Sequence, residues 1–97
     1  MTNPVTVTLR LSAKDGPVFI QHLAEVLAVT RQAKGCRHSN TYVSPDDNRE
    51  VMLVQGWDSL AQQQAYIGWR DSTGDLKQFI DFLAKPPVVE VFELFDA

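Results

Sequence analysis

The chain has 97 residues, of which 44% are hydrophobic and 22% charged, a balance typical of one small globular domain rather than a disordered or membrane protein. Nine Lys and Arg residues against twelve Asp and Glu residues give a net charge of −3, which disfavours nucleic acid as a partner because phosphate-binding surfaces need a basic excess. A single cysteine excludes an intramolecular disulfide framework and zinc sites built from several cysteines. No secretory signal or membrane-spanning segment is visible, so we expect a cytoplasmic protein with no membrane partner.

The N-terminal third of the chain predicts a strand followed by a helix. Apolar and polar residues alternate over 5–12, and several are β-branched, which indicates a β-strand. Asp15 and Pro17 are typical of a helix start, because aspartate caps free N–H groups and proline is tolerated in the first turn. An apolar stripe at helical spacing continues to Thr30, and Gly35 is the expected left-handed stop.

Two strands are predicted next, on either side of a turn at 44–48. Residues 36–43 and 50–57 have the length and the period of two that strands show. One face of the earlier strand is expected to carry Cys36, His38, Asn40 and Tyr42. A half-polar strand face of this kind is unusual in a buried sheet without a functional reason. Gln55 and Trp57 are two residues apart, so they are expected to share one face of the later strand.

The C-terminal part predicts two helix segments and a last strand. Ser59 and Gln62 fit a capping box that opens a helix, and 72–74 resembles a break before a third, amphipathic segment. The proline pair at 86–87 ends that segment, and alternation over 88–95 indicates the last strand. The order β-α-β-β-α-β predicts a ferredoxin-like α+β fold, which is an antiparallel sheet with its helices on one face.

The helices of such a fold can cover only one face of the sheet. The last predicted strand is nevertheless apolar on both faces, apart from its two glutamates, and Phe95 lies close to the end of the chain. A solvated face should alternate to charge, so we expect a second copy to pack there in a homodimer that closes into a barrel-like sandwich. The alternative is a monomer with an exposed apolar face.

Three stretches of the sequence resemble the antibiotic biosynthesis monooxygenase (ABM) family of dimeric α+β barrels. They are Thr30-Arg31 with Gly35-Cys36, Gln55-Gly56-Trp57-Asp58-Ser59, and Pro86-Pro87-Val88-Val89 before the closing strand. The resemblance extends over nearly the whole chain and implies a single ABM-like domain at 1–97. The family includes cofactor-free oxygenases of anthrones and quinols as well as haem-degrading enzymes. This chain departs from the family pattern at Gln55, where glutamate is usual, and at Tyr66, where histidine is usual.

The resemblance implies a cofactor-free monooxygenase that acts with dioxygen on a quinol, an anthrone or another polycyclic phenol. Such a reaction needs an apolar cavity that excludes water and stabilises the substrate oxyanion, and it needs no metal or other cofactor. Two alternatives are a non-catalytic small-molecule-binding or stress-associated dimer, and an isomerase on the same scaffold. Haem degradation is disfavoured, because the first strand has no asparagine and the helix carries Tyr66 in place of histidine.

The resemblance implies that Trp57 lines a cavity between sheet and helices, although a tryptophan at this position is also typical of a core. Trp69 and Arg70 lie three and four residues after Tyr66 on the helix that follows, so both are expected to cluster with Tyr66 on one helix face. Tyr66 and Arg70 are candidate catalytic groups that hydrogen-bond a substrate oxygen, and Trp69 is a candidate wall for the substrate. Alternatively, Arg70 stacks on a ring and pairs with a nearby aspartate. The helix break at 72–74 offers an entrance.

His38 is the candidate base, because imidazole titrates near neutral pH. Asn40 lies on the same predicted strand face and, with Gln55, is a candidate for substrate binding; an amide cannot remove a proton. The alternative for His38 is a hydrogen-bonded position in the dimer interface. Cys36 is expected to be a small buried hydrophobe, and His22 is expected at the surface.

Overall fold

The computed structural model describes residues 3–95, which form one antiparallel sheet and three helices. The elements in chain order are β1 (Val5–Ser12), α1 (Gly16–Thr30), β2 (Cys36–Val43), β3 (Glu50–Trp57), α2 (Leu60–Ser72), α3 (Asp75–Asp81) and β4 (Val88–Glu93). This is the predicted β-α-β-β-α-β order with the second helical region divided in two, so the ferredoxin-like α+β fold is confirmed. The last strand ends two residues earlier than the alternation predicts.

The four strands lie in the order β2-β3-β1-β4, and every neighbouring pair is antiparallel. Leu9 of β1 lies opposite Leu53 of β3 and Val89 of β4, which fixes the faces of the sheet. The odd-numbered residues of β1 and β3 face the helices, because Leu11 and Leu53 belong to the same buried cluster as Phe19, Leu23 and Phe79. The even-numbered residues of these strands form the helix-free face.

Side-chain caps start α1 and α2 where the sequence predicts. The Val18 N–H donates to the Asp15 carboxylate at 3.1 Å. The Ser59 hydroxyl accepts from the Gln62 N–H at 3.2 Å and donates to the Gln62 side-chain oxygen at 3.0 Å. The bonds from Val18 N–H and Gln62 N–H each satisfy one of the N–H groups that the first helical turn leaves unpaired. The capping pair of α2 is therefore confirmed.

Gly35 does not terminate α1 directly, which differs from the predicted helix stop. The helix ends at Thr30, and Gly35 lies in the turn before β2 with a φ of 91°. A side chain at Gly35 would be strained at this φ and would collide with the side chain of Gln62. The Gly35 carbonyl also accepts from the Asp58 N–H at 2.8 Å. Glycine here lets the end of α1 approach the start of α2.

A β-bulge at the start of β2 changes which residues share a face. Cys36 lies opposite Trp57, whereas His38 lies opposite Gly56, so the register shifts between them. The extra residue, Arg37, points away and donates to Asp58 at 2.6 Å. Cys36 therefore packs beside the helix-side cluster around Trp57. The prediction that Cys36 shares a face with His38 is wrong, because a period of two cannot continue through a bulge.

The helix-free face and the edge strand leave a large apolar area exposed. All six residues of β4 are exposed. Phe92 of β4 and Tyr42 of β2 lie on the helix-free face and are more than half exposed, as is Phe95 beyond the strand. This pattern is the apolar surface that the sequence predicts. No helix within residues 3–95 is both long and apolar enough to cross a membrane.

Candidate active site

A small cavity of about 70 Å³ lies between the sheet and all three helices. Its apolar lining is Leu9, Val26, Leu27, Leu53, Ile67, Leu76 and Phe79. Its polar lining is Thr30, Gln55, Gln63, Tyr66, Arg70 and Asp75. Apolar walls with a few converging polar groups are characteristic of a small-molecule site. Three of the predicted site residues, Gln55, Tyr66 and Arg70, are brought together here.

Gln55 presents N–H donors to this cavity. The Trp57 indole N–H donates to the side-chain oxygen of Gln55 at 3.1 Å. An indole nitrogen can only donate, so this bond identifies the oxygen end of the amide. The NH₂ end of Gln55 then remains for a ligand. Gln55 is only 7% exposed, so the strength of such a bond is little reduced by competition with water.

Trp57 does not border the cavity, which corrects its predicted place as a wall. The side chain is 0% exposed and packs with Val5 and Val7 in a buried cluster. Its ring lies 5.5 Å from the ring of Tyr66, measured between centroids, so both aromatic groups are on the helix side of the sheet. Trp57 acts on the cavity indirectly, because it supports Tyr66 and orients the amide of Gln55.

The hydroxyl of Tyr66 is already engaged. It lies 2.6 Å from the hydroxyl of Thr30, whose oxygen is 3.1 Å from the Val26 carbonyl. Either hydroxyl can be the donor in the bond between the two side chains. Where Thr30 is the donor, the Tyr66 hydrogen is free for a substrate; where Tyr66 is the donor, this bond has to break first.

Arg70 brings a positive charge to the cavity. Its side chain is 12% exposed, and one guanidinium nitrogen lies 3.7 Å from a carboxylate oxygen of Asp75. The guanidinium carbon lies 6.0 Å from the ring centre of Trp69. The alternative prediction of stacking and pairing with a nearby aspartate thus describes Arg70 well. Because Arg70 also lines the cavity, its N–H groups can serve an oxyanion there.

Trp69 lies outside the cavity, on a separate surface groove. Its side chain is 52% exposed and its ring centre is 6.0 Å from that of Tyr66. The groove has a volume of about 380 Å³ and lies between the end of α1 and α2. Tyr66 is the residue that lines both the groove and the cavity. The three aromatic rings therefore form a row from the buried Trp57 to the surface.

His38 and Asn40 do not belong to the cavity. They lie opposite Gly56 and Val54 on the helix-free face, whereas Gln55 faces the helices. A Cβ on Gly56 would collide with the imidazole of His38, so the ring rests against the backbone of β3. The predicted grouping of His38 and Asn40 with Gln55 is wrong, because antiparallel pairing places Ser39 rather than His38 or Asn40 beside Gln55. His38 instead occupies the face where a second copy is expected.

Three polar residues of the cavity lining are not predicted as site residues from the sequence, namely Thr30, Gln63 and Asp75. Gln63 had a usable pattern, because it precedes Tyr66 by three residues and so shares its helix face. The sequence indicates Thr30 only as the end of an apolar stripe. Its contact with Tyr66 joins residues 36 positions apart and has no local pattern. The neighbouring Arg31 donates to the Ser39 carbonyl at 2.7 Å and holds the end of α1 against β2.

Cys36 and His22 lie outside the cavity lining and have structural roles. Burial raises the pKa of the Cys36 thiol more than the positive charge of Arg31 lowers it. A raised thiol pKa reduces the thiolate fraction, so Cys36 fits the predicted small hydrophobe. His22, expected at the surface, is half-buried and stacks on Phe82 with ring centres 4.3 Å apart. Within residues 3–95, no cluster of three or more His, Cys, Asp or Glu side chains is arranged to bind a metal.

Comparisons with known proteins agree with this architecture. Residues 4–81 match the family described as Antibiotic biosynthesis monooxygenase. The chain is 26% identical to Rv0793 of Mycobacterium tuberculosis, with a TM-score of 0.73 and 97% of each chain covered. It is 20% identical to a protein of Shewanella oneidensis, with a TM-score of 0.82 and coverage of 97% and 93%. No curated protein matches the sequence.

A further similar structure has a described activity. It is a mutant of SnoaB, a cofactor-independent oxygenase from Streptomyces nogalater. The two chains are 11% identical, with a TM-score of 0.83 and coverage of 98% of this chain and 96% of that one. At this identity the similarity establishes the shared fold.

Proposed function

Because the chain belongs to the antibiotic biosynthesis monooxygenase family, we propose that it is a cofactor-independent monooxygenase of a quinol, an anthrone or another polycyclic phenol. The observation that carries this proposal is the convergence of two donors, the NH₂ of Gln55 and the guanidinium of Arg70, on one apolar cavity. Preorganised donors in a water-poor site stabilise an oxyanion more strongly than water does. The substrate oxygen binds between these two groups.

The proposed reaction, written for an anthrone, needs only substrate and dioxygen. The ring methylene loses a proton, and the negative charge moves to the oxygen held by Gln55 and Arg70. The carbanion form adds dioxygen and takes the proton back from its acceptor to give a hydroperoxide, which loses water and leaves a carbonyl. One oxygen atom enters the product, the other leaves as water, and the substrate supplies all the electrons.

Asp75 is the group that we propose as the proton acceptor. It is the carboxylate of the cavity lining, and one of its oxygens lies 3.7 Å from a guanidinium nitrogen of Arg70. One of its oxygens lies 2.7 Å from the hydroxyl of Thr73, whose single hydrogen is shared between this oxygen and the Arg70 carbonyl at 2.9 Å. His38, the acceptor that the sequence favours, faces the opposite side of the sheet.

A second candidate function is an isomerase in the same cavity. Asp75 borders the substrate space and can take a proton from one substrate carbon and return it to another without using dioxygen, while the Arg70 guanidinium stabilises the oxyanion formed in between. A third candidate function is a non-catalytic dimer that binds a small molecule in the same cavity. Dioxygen consumption separates the oxygenase from both alternatives.

We also propose a cytoplasmic homodimer in which two copies meet through the helix-free face. Phe92, Tyr42 and Val88 supply exposed apolar area on this face. Burial of such area by a second copy follows from the hydrophobic effect. In this dimer, His38 and Asn40 lie at the interface between the two copies and do not contact the substrate.

An oxygen electrode tests the proposal directly. We expect dioxygen uptake with an anthrone or menadiol above the rate without protein, and one oxygenated product for each dioxygen consumed. Arg70→Leu should lower this rate about 100-fold, in line with the loss of one oxyanion donor. Arg37→Leu is the matched control, because Arg37 forms an exposed ion pair with Asp58 outside the cavity. Substrate binding without dioxygen uptake would refute the oxygenase.

A further inference from the structure

The cavity is too small for the substrate class proposed above. An apolar cavity of about 150 Å³ holds one benzene molecule, and pockets for drug-sized ligands have about 300–1,000 Å³. The cavity has about 70 Å³, which suits dioxygen or a few water molecules. A two- or three-ring phenol therefore needs additional space next to Gln55 and Arg70.

The groove between α1 and α2 supplies space of the required size. It has about 380 Å³, and its apolar lining includes Val29, Ala33, Ala65 and Trp69. The half-exposed indole of Trp69 offers a flat surface on which a planar ring can stack. Lys34 lies in the same lining and adds positive charge suited to an ionised phenol. The groove and the cavity together reach the size of a typical ligand pocket.

One side chain borders both spaces. Tyr66 lines both the groove and the cavity, and its ring lies between Trp57 and Trp69. Among the described residues, the side chain of Tyr66 has one hydrogen-bond partner, which is the hydroxyl of Thr30 at 2.6 Å. Loss of this one bond would free the Tyr66 ring, which makes it the side chain whose movement can change the access from the groove to the cavity.

We propose that the groove is the outer half of the substrate site and that Tyr66 is a movable partition. The rings of a planar two- or three-ring phenol rest against Trp69 and Ala65. The reacting carbon enters the space that opens when the ring of Tyr66 moves. The substrate oxygen then reaches Gln55 and Arg70. The inference rests on the proposed function for the class of ligand, but it concerns binding and so can be tested without turnover.

The site is tested with a series of ligands that do not react, namely phenol, naphthol and dihydroxyanthraquinone, titrated without dioxygen. We expect the affinity of the wild type to rise at least tenfold from phenol to dihydroxyanthraquinone. Ala65→Phe fills the groove and should remove this rise. Ala61→Phe is the matched control, because Ala61 is an exposed alanine one turn earlier on α2 and is not part of the groove lining. Equal binding by the two variants would overturn the inference.

The partition is tested by association rates in stopped-flow fluorescence. Thr30→Val and Tyr66→Phe each remove the same hydrogen bond, which is worth about fivefold to tenfold in the population of the open state. We expect each variant to bind dihydroxyanthraquinone faster by about this factor and the double variant to gain no more than either one. Unchanged or additive rates would show that the bond does not hold a partition.

The two proposals fail separately. If the ligand series and the groove variants behave as expected but no dioxygen is consumed, the oxygenase is wrong and the binding site stands. If dioxygen is consumed and Ala65→Phe has the activity and affinity of Ala61→Phe, the oxygenase stands and the groove is not part of its site. Thermal unfolding of each variant shows whether it is folded, and a variant that unfolds early is replaced by Ala65→Leu.

Discussion

Replacement of Gln55 by leucine should weaken both the core and the proposed site. Leucine is similar in size, so the substitution mainly removes the acceptor that the Trp57 indole N–H uses. Trp57 is 0% exposed, so water cannot replace the lost partner. A buried donor without a partner costs about 1–3 kcal/mol, and the apolar burial gained with leucine offsets about 1 kcal/mol. We expect a net loss of about 1 kcal/mol in the free energy of unfolding.

Urea unfolding followed by tryptophan fluorescence measures this loss. A change of about 1 kcal/mol lowers the melting temperature of a domain of this size by about 4–8 °C. Gln64→Leu is the matched control, because Gln64 is exposed on α2 and its replacement leaves the Trp57 bond intact. If Gln55→Leu unfolds at the same urea concentration as Gln64→Leu, the bond between Gln55 and Trp57 does not stabilise the fold.

Gln55→Glu separates stability from activity. A carboxylate still accepts from the Trp57 indole, so the fluorescence of the native state should stay close to that of the wild type. The same carboxylate has no N–H to donate, so dioxygen uptake should fall about 100-fold. A Gln55→Glu protein that oxidises its substrate at the wild-type rate would contradict the donor role of Gln55.

Four further outcomes are expected. Arg70→Lys should retain more dioxygen uptake than Arg70→Leu, because lysine keeps the positive charge and loses only the planar donor fork. An oxygen-electrode assay of both variants measures this difference. Ser59→Ala should lower the free energy of unfolding by about 1 kcal/mol through loss of the α2 cap, measurable in urea. Cys36 should react slowly with a thiol reagent at neutral pH and faster as the pH rises, because burial raises its pKa. The raised pKa also favours the protonated folded state, so this contribution to stability is present below the ordinary thiol pKa and is lost as the pH rises through the higher, folded value. Phe92→Asp should convert a dimer to a monomer in light scattering, and a wild type that is already monomeric would refute the dimer.

The positions of the helices and strands could be predicted because their causes are local. Alternation sets the strand at 5–12, and the hydroxyl of Ser59 caps the helix that follows it in the chain. The break near Gly74 is also local, because this glycine adopts a φ of 82° that most residues avoid. Each of these features involves residues close in sequence, so their spacing contains the information that fixes them.

The arrangement of the site could not be predicted in the same way, because it depends on register and on distant contacts. The face of His38 is set by its pairing with Gly56 across the β2–β3 turn and by the bulge at Arg37. A bulge has no reliable sequence pattern, and a shift of one residue exchanges the two faces of a strand. The bond between Thr30 and Tyr66 likewise depends on how α1 and α2 pack, which neither helix determines alone.

The alternation of β3 directs neighbouring residues to the proposed site and to the proposed interface. Gln55 and Trp57 face the helices, where Gln55 lines the cavity and the Trp57 indole N–H orients its amide. Gly56 lies between them and faces the opposite side, where its missing side chain makes room for His38. A substitution at Gly56 therefore acts first on His38 and the proposed interface, whereas a substitution at Gln55 acts on the cavity. Neighbouring residues of one strand thus have separable effects, because the pleat directs them to opposite faces of the sheet.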